Sequence, residues 1–191
     1  MGYFKQTYLR QVAAPAQEPV SLEEAKTHLR VSHNLDDTYI QGLITLARQE
    51  YERITGRALI TQTWKLGLDW FPGIIYLPKY PVQSITSIVV AGTTWDAANY
   101  EVDLISIPPR IVPVSTWPTV PVDNELSPIE VTFIAGEGDA PGDIPDSSPL
   151  HAIKLLISHW YENRAPYAQG ATTVVEIPEA AKVLMTRARQ W

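Results

Sequence analysis

The 191 residues contain four histidines, 21 carboxylates and no cysteine, which narrows the chemistry open to the chain. His28 and His33 fall on or just after one amphipathic segment. His151 and His159 lie eight apart on another, so no pair has the i, i+4 spacing of a helical metal site and no H-E-x-x-H occurs. Glu101 and Asp103 sit two apart in a β-like stretch and therefore share a face, where two carboxylates would supply a general acid and a general base. Neighbouring acids on an exposed strand face are the commoner use of that pattern. The run GEGDAPGD, residues 136–143, has the glycines of a phosphate cradle but no following Gly-Lys-Ser/Thr, and its carboxylates would repel phosphate. It reads as a turn, with weak calcium binding as the chemical alternative. G-x-S-x-G and the dinucleotide glycine fingerprint are absent, as are the thiolate, disulfide, zinc-knuckle and iron–sulfur chemistries that need cysteine. The expectation is a protein that is not an enzyme and has no catalytic residue, cofactor or metal.

The elements that must carry any other function are legible from periodicity and punctuation. Residues 1–20, broken by Pro15 and Pro19, read as an extended N-terminal arm. Its Tyr3, Phe4 and Tyr8 would pack either on their own domain or on a neighbouring subunit. Ser21 and Glu24 form the S-x-x-E capping box of a first helix, with Val20 stapling onto Ala25. A longer helix runs from about Leu35 to Thr55, its face formed by Ile40, Leu43, Ile44, Ala47, Tyr51 and Ile54 and its end marked by Gly56. Residues 21–57 are the first part of a helical core.

Residues 58–146 change to strand texture, with β-like stretches at 60–68, 73–77, 84–90, 100–104 and 129–134. Twelve of the 16 prolines fall between Phe71 and Pro149, which predicts short strands and exposed loops. Residues 106–128, with six prolines, read as a long loop or projecting hairpin. A third helix occupies 147–165, opened by Ser147 or Ser148 with Pro149 in its first turn. In the C-terminal segment, 166–191, a flexible stretch 167–177 leads to a last helix with Ala181, Leu184, Ala188 and Trp191 on one side. The predicted class is α+β: a small bundle of about four helices with a β-rich, proline-rich insertion between the second and third.

Charge is divided along the chain. Residues 92–150 hold ten acids and the single base Arg110, so that segment carries -9 of a net charge of -6. Such a segment does not grip phosphates, because nucleic-acid affinity comes mainly from Lys and Arg displacing counterions. It serves as a solubilising face, meets a basic partner, or repels a passing polyanion. No apolar run approaches the roughly 18 residues of a membrane helix, and no signal pattern opens the chain, so a soluble, unprocessed protein without membrane association is expected.

The order of segments adds more. PVSLEEAKTHLRV (19–31), ARQEYERITGRALITQTW (47–64), LPKYPVQSITSIVV (77–90), IEVTFIAGEGD (129–139) and IKLLISHWYENRAP (153–166) together resemble the head-tail connector, or adaptor, proteins of long-tailed bacteriophages and gene transfer agents. The most specific pieces are SLEEAKTHLRV, the Thr55-Gly56-Arg57 turn leading to Gln62-Thr63-Trp64, and the run His159 to Arg164. The closing IPEAAKVLMTRAR is also similar. The N-terminal arm departs from the pattern, as does Glu137, where an aromatic is expected.

The resemblance implies a ring, typically of twelve copies, beneath the portal at the virion neck, assembled in the host cytoplasm. Such a ring extends the DNA channel and joins the head to a stopper or tail-terminator protein, with genomic DNA passing through without sequence-specific binding. Portal docking is expected of Ile177, Leu184, Arg187, Arg189 and Trp191. Glu101, Asp103, Asp123 and Glu125 are expected to line the channel or face the tail side. Tyr3, Phe4 and Tyr8 are the candidates for arm contacts between subunits. The alternatives are a tail-completion or stopper neck protein, a DNA-packaging accessory factor, and a small hydrolase built on Glu101 and Asp103.

Overall fold

A computed structural model describes residues 6–120, 127–164 and 177–189. The chain divides into two compact units. Among the described residues, one contains 17–59, 140–164 and 177–189, the other 6–16, 60–120 and 127–139.

The first unit is helical: α1 (Leu22–Leu29), α2 (Asp37–Thr55), α3 (Ser148–Glu162) and α4 (Glu179–Ala188). Ser21 caps α1 as expected: its Oγ accepts the Glu24 amide, and the Glu24 carboxylate accepts the Ser21 amide at 2.9 Å. The Ser21 amide, and then the Ser21 hydroxyl donating to the same carboxylate at 2.8 Å, hold the Glu24 carboxyl below its ordinary pKa. Gly56 ends α2 in the left-handed conformation at φ 76°, donating to the Glu52 carbonyl, a geometry that suits a residue without Cβ. The second helix starts at Asp37, two residues later than expected, and leaves Leu35 exposed in front of it. Ile40, Leu43, Ile44, Ala47 and Tyr51 form the buried face of α2, which packs on α3 through Ile153, Leu156 and Ile157. α4 packs on α2 and α3 of the same chain, with Ala181 and Met185 fully buried. The sequence stripe placed Leu184 and Ala188 beside Ala181, but both are only half-buried, so the inward face of α4 is rotated toward Met185.

The second unit is built from β1 (Gln6–Ala13), β2 (Gln62–Leu68), β3 (Ile75–Tyr76), β4 (Val82–Val90), β5 (Thr93–Trp95), β6 (Tyr100–Asp103), β7 (Arg110–Pro113) and β8 (Ile129–Ala135). A five-stranded antiparallel sheet has the order β1-β2-β8-β4-β5, and a three-stranded sheet the order β3-β7-β6. Ile129, Val131, Phe133 and Ala135 of central β8 are fully buried and alternate with Glu130, Thr132 and Ile134, which marks a strand with one face in a core.

Two readings are refined. Residues 6–13 of the expected arm are extended but form the edge strand β1, paired with β2. The proline-rich stretch from 106 is no simple loop, because β7 pairs with β6, Glu101 opposite Val112 and Asp103 opposite Arg110.

Candidate interaction surfaces

The carboxylate pair proposed for acid–base chemistry does not work as one. Asp103 accepts from the Ser106 hydroxyl (2.6 Å), the Ser106 and Ile105 amides (3.0 and 3.2 Å) and Arg110 Nε (3.0 Å). The Ser106 bonds foremost, with Arg110 and the Ile105 amide, pull its carboxyl down to about 2. A group so acidic is neither a proton donor nor an effective base near neutral pH. Asp103 instead ties down the turn between β6 and β7, while Glu101 stands exposed.

Because the folded pKa lies below the unfolded one, the carboxylate stabilises this turn at pH values above about 4, and the contribution fades as pH falls toward 2. Asp103→Asn is therefore expected to speed proteolysis within residues 104–109 at neutral pH. The difference from wild type should shrink in acid proteolysis between pH 4 and 2. A difference that stays constant with pH would show that the charge has no part in holding the turn.

What the turn displays is apolar. Ile105 is 94% exposed and Ile107 49%, with Val102 also exposed on the strand leading into it. Beyond it, Trp117 stacks on Phe71 with centroids 4.5 Å apart and planes 8° off parallel, and lies 5.3 Å from Trp95, itself stacked on Tyr100. This aromatic group anchors the chain after β7. Asp123 and Glu125 lie outside the described residues, so of the acidic candidates only Glu101 and Asp103 are placed. No local pattern singles out Ile105 and Ile107, which fall between the strand signal at 100–104 and the prolines from Pro108 on.

Of the docking candidates, Ile177 and Leu184 are half-buried, Arg187 and Arg189 are exposed, and Trp191 lies outside the described residues. The arginines stand at the C-terminal end of α4, where cations oppose the helix dipole favourably. Tyr3 and Phe4 also lie outside the described residues. Tyr8 is engaged in its own sheet: its ring lies over Gly67, where a Cβ would come within 2.2 Å of it, and its hydroxyl donates to Glu130 Oε1 at 2.7 Å. Burial and then this bond to an anion push the Tyr8 phenol up to about 12. Lys65 pairs with the same carboxylate at 2.8 Å, so Glu130 gathers β1, β2 and β8.

The sequence-specific runs are structural. Tyr161 and Arg164, at the end of α3, both reach Asp36 Oδ2 at the start of α2, at 2.6 and 2.9 Å. These bonds, that of Tyr161 foremost, hold the Asp36 carboxyl below its ordinary range. The Arg164 guanidinium also lies 4.6 Å from the centres of both the Tyr39 and Tyr161 rings. Thr55 Oγ1 donates back to the Tyr51 carbonyl and accepts the Arg57 amide, closing the turn after α2.

An open groove of about 640 Å³ runs along α1 and the turn after it, lined by the apolar Leu22 and Val31 and by Glu23, Lys26 and Arg30. A more polar hollow beside it includes His28 and Lys154; burial first, then Lys154 and His151, lower the pKa of His28. Among the described residues no group of three His, Cys, Asp or Glu is arranged to hold a metal ion, and no helix is long and apolar enough to cross a membrane.

These features define a protein made of packing and display surfaces. Residues 19–96 match the family described as phage gp6-like head-tail connector protein. None of the curated proteins matches the chain in sequence. Among solved structures, a chain from the neck of an empty gene transfer agent particle computed with C6 symmetry aligns over 96% of both chains, at 25% identity and a TM-score of 0.78. A chain from the virion of a native gene transfer agent particle aligns over 96% of this chain and 95% of its own, at 24% identity and a TM-score of 0.75. One from the neck of a native particle computed with C12 symmetry aligns over 96% of both, at 23% identity and a TM-score of 0.74. The family match covers residues 19–96, and the likeness to the gene transfer agent chains extends over nearly the whole fold.

Proposed function

We propose that this chain is an adaptor subunit: a structural protein that forms a homo-oligomeric ring, of twelve copies, under the portal at the neck of a tailed particle. In this reading the ring extends the DNA channel and offers a platform to the next neck or tail protein. The helical unit is the core of the subunit, and the β-rich unit is an insertion between its second and third helices completed by the N-terminal strand β1. The observation that carries the proposal is the likeness over nearly the whole chain to a protein of a gene transfer agent neck, together with the family match at 19–96. The C6 and C12 symmetries computed for those necks support a closed ring. An acidic, weakly phosphate-binding lining would let DNA slide, and the -9 of residues 92–150 suits that use.

In the same reading α4 and the segment around it dock on the portal. Deleting 178–191 is a poor test, because it strips Ala181 and Met185 from the subunit's own bundle. Reversing the exposed arginines keeps that core: Arg187→Glu with Arg189→Glu is expected to weaken portal binding at least about tenfold with the helical signal unchanged. Undiminished binding would remove α4 from the docking surface. Light scattering of the wild-type protein, alone and with the cognate portal at two salt concentrations, tests the larger claim. A ring-sized species or portal complex is expected, and a monomer indifferent to the portal would overturn it.

A further inference from the structure

We infer that the tip of the β6–β7 hairpin is a preformed apolar knob that seats in the α1 groove of a second copy of this chain, making the contact between neighbouring subunits. The inference rests on the ring reading above and adds the two surfaces. Exposed aliphatic side chains on monomeric proteins are usually scattered, whereas Val102, Ile105 and Ile107 gather here within six residues. Asp103 fixes their setting through its bonds to Ser106, Ile105 and Arg110, so the tip is ordered before any partner arrives. Ordering on folding spares the entropy that a loose loop would lose on binding.

A ring of identical subunits is closed by a heterologous contact, in which each copy presents two different and mutually fitting patches. This chain carries such a pair. The knob is convex and apolar. The groove of about 640 Å³ is a shallow, open depression whose lining includes Leu22 and Val31, so it can receive a protruding tip without enclosing it. Their margins agree in charge as well: Arg30 is exposed at the groove and Glu101 on the hairpin, while Lys26 is already paired with Asp37 at 2.6 Å. Glu23, also at the groove, sets the orientation by excluding Glu101 from its side.

The test uses the full chain with Ile105 replaced by photoreactive benzoylphenylalanine, mixed from isotopically labelled and unlabelled batches under conditions where the wild type assembles, alone or on the portal. Irradiation is expected to yield mixed-isotope cross-links joining the hairpin to residues 22–32. Cross-links to another part of the neighbour, to a different protein, or within one copy would overturn the assignment while leaving the ring intact. In parallel, Ile105→Asp is expected to raise the concentration needed for assembly at least about tenfold, with unchanged circular dichroism and melting. Wild-type assembly by this variant would overturn the knob alone. A wild-type protein that never forms a ring would overturn both the knob and the ring reading.

Discussion

Replacing Arg48 with methionine is expected to cost about 3 kcal/mol of stability or more, the loss typical when one member of a buried ion pair is removed. Arg48 is 3% exposed on α2, and it meets Glu52 at 2.9 Å and Glu18 at 2.7 Å. Burial by itself presses its pKa down, but the Glu18 bond and the charges of Glu52 and Glu18 more than reverse this. Glu52, equally buried, accepts the Leu59 amide at 2.9 Å through its other oxygen, and Thr45 donates to Glu18 at 2.9 Å. One guanidinium thus ties the segment before α1, the middle of α2 and the turn after it. Methionine fills much of the same volume but leaves the Glu52 carboxylate buried beside an apolar chain. Arg48→Met with Glu52→Met should be milder than Arg48→Met alone, because no carboxylate is then left fully buried beside methionine; the remaining loss includes the orphaned Leu59 amide, roughly 1–3 kcal/mol, and the half-buried Glu18 carboxylate deprived of its guanidinium. Urea unfolding followed by far-ultraviolet circular dichroism measures both. A single variant within about 0.5 kcal/mol of wild type, the range of ordinary surface changes, would sink the argument.

Gly136→Ala is expected to cost about 3 kcal/mol, lowering the melting temperature by roughly 6–12 °C. Gly136 has φ 152°, a conformation L residues rarely adopt. A Cβ there would lie 2.5 Å from the Thr61 nitrogen, 2.6 Å from its Cα and 2.7 Å from the Ile60 carbonyl carbon. These are backbone atoms and cannot swing aside. Ile60 is buried, Thr61 donates to the Gly138 carbonyl at 2.9 Å, and Gly136 itself donates to the Pro81 carbonyl at 2.9 Å. Gly142, six residues on, supplies the control: its Cβ would meet nothing within 4 Å, so Gly142→Ala should stay within about 0.5 kcal/mol. Equal melting temperatures for the two variants would refute the close-approach account. The first glycine of the GEGDAPGD run is thus explained by backbone packing, and neither phosphate nor calcium binding is needed to account for it.

Local signals carried far in this chain. The Ser21–Glu24 box, the α2 stripe, Gly56 and the alternation in β8 are written within about four residues of themselves, and each appears in the structure where its pattern points. The absence of cysteine and of metal or nucleophile spacings, together with the resemblance carried by whole segments, already directed the functional reading toward assembly and away from catalysis.

Other features depended on partners far along the chain. β1 lacks clean alternation because an edge strand need not bury one full face, and its place beside β2 is set by pairing and by the Tyr8–Glu130 bond across 122 residues. The run from His159 to Arg164 was recognisable as a motif, but its work became visible only when Asp36, 125 residues from Tyr161 and 128 from Arg164, stood beside it. Asp103 looked like half of an acid–base pair until the fold gave it Ser106 and Arg110, and the exposure of Ile105 and Ile107 showed only once the β6–β7 turn was in place. Periodicity and caps are short-range preferences of the backbone, so the sequence alone determines them. The partner of a carboxylate and the exposure of an isoleucine are set by long-range packing, which only the tertiary structure decides.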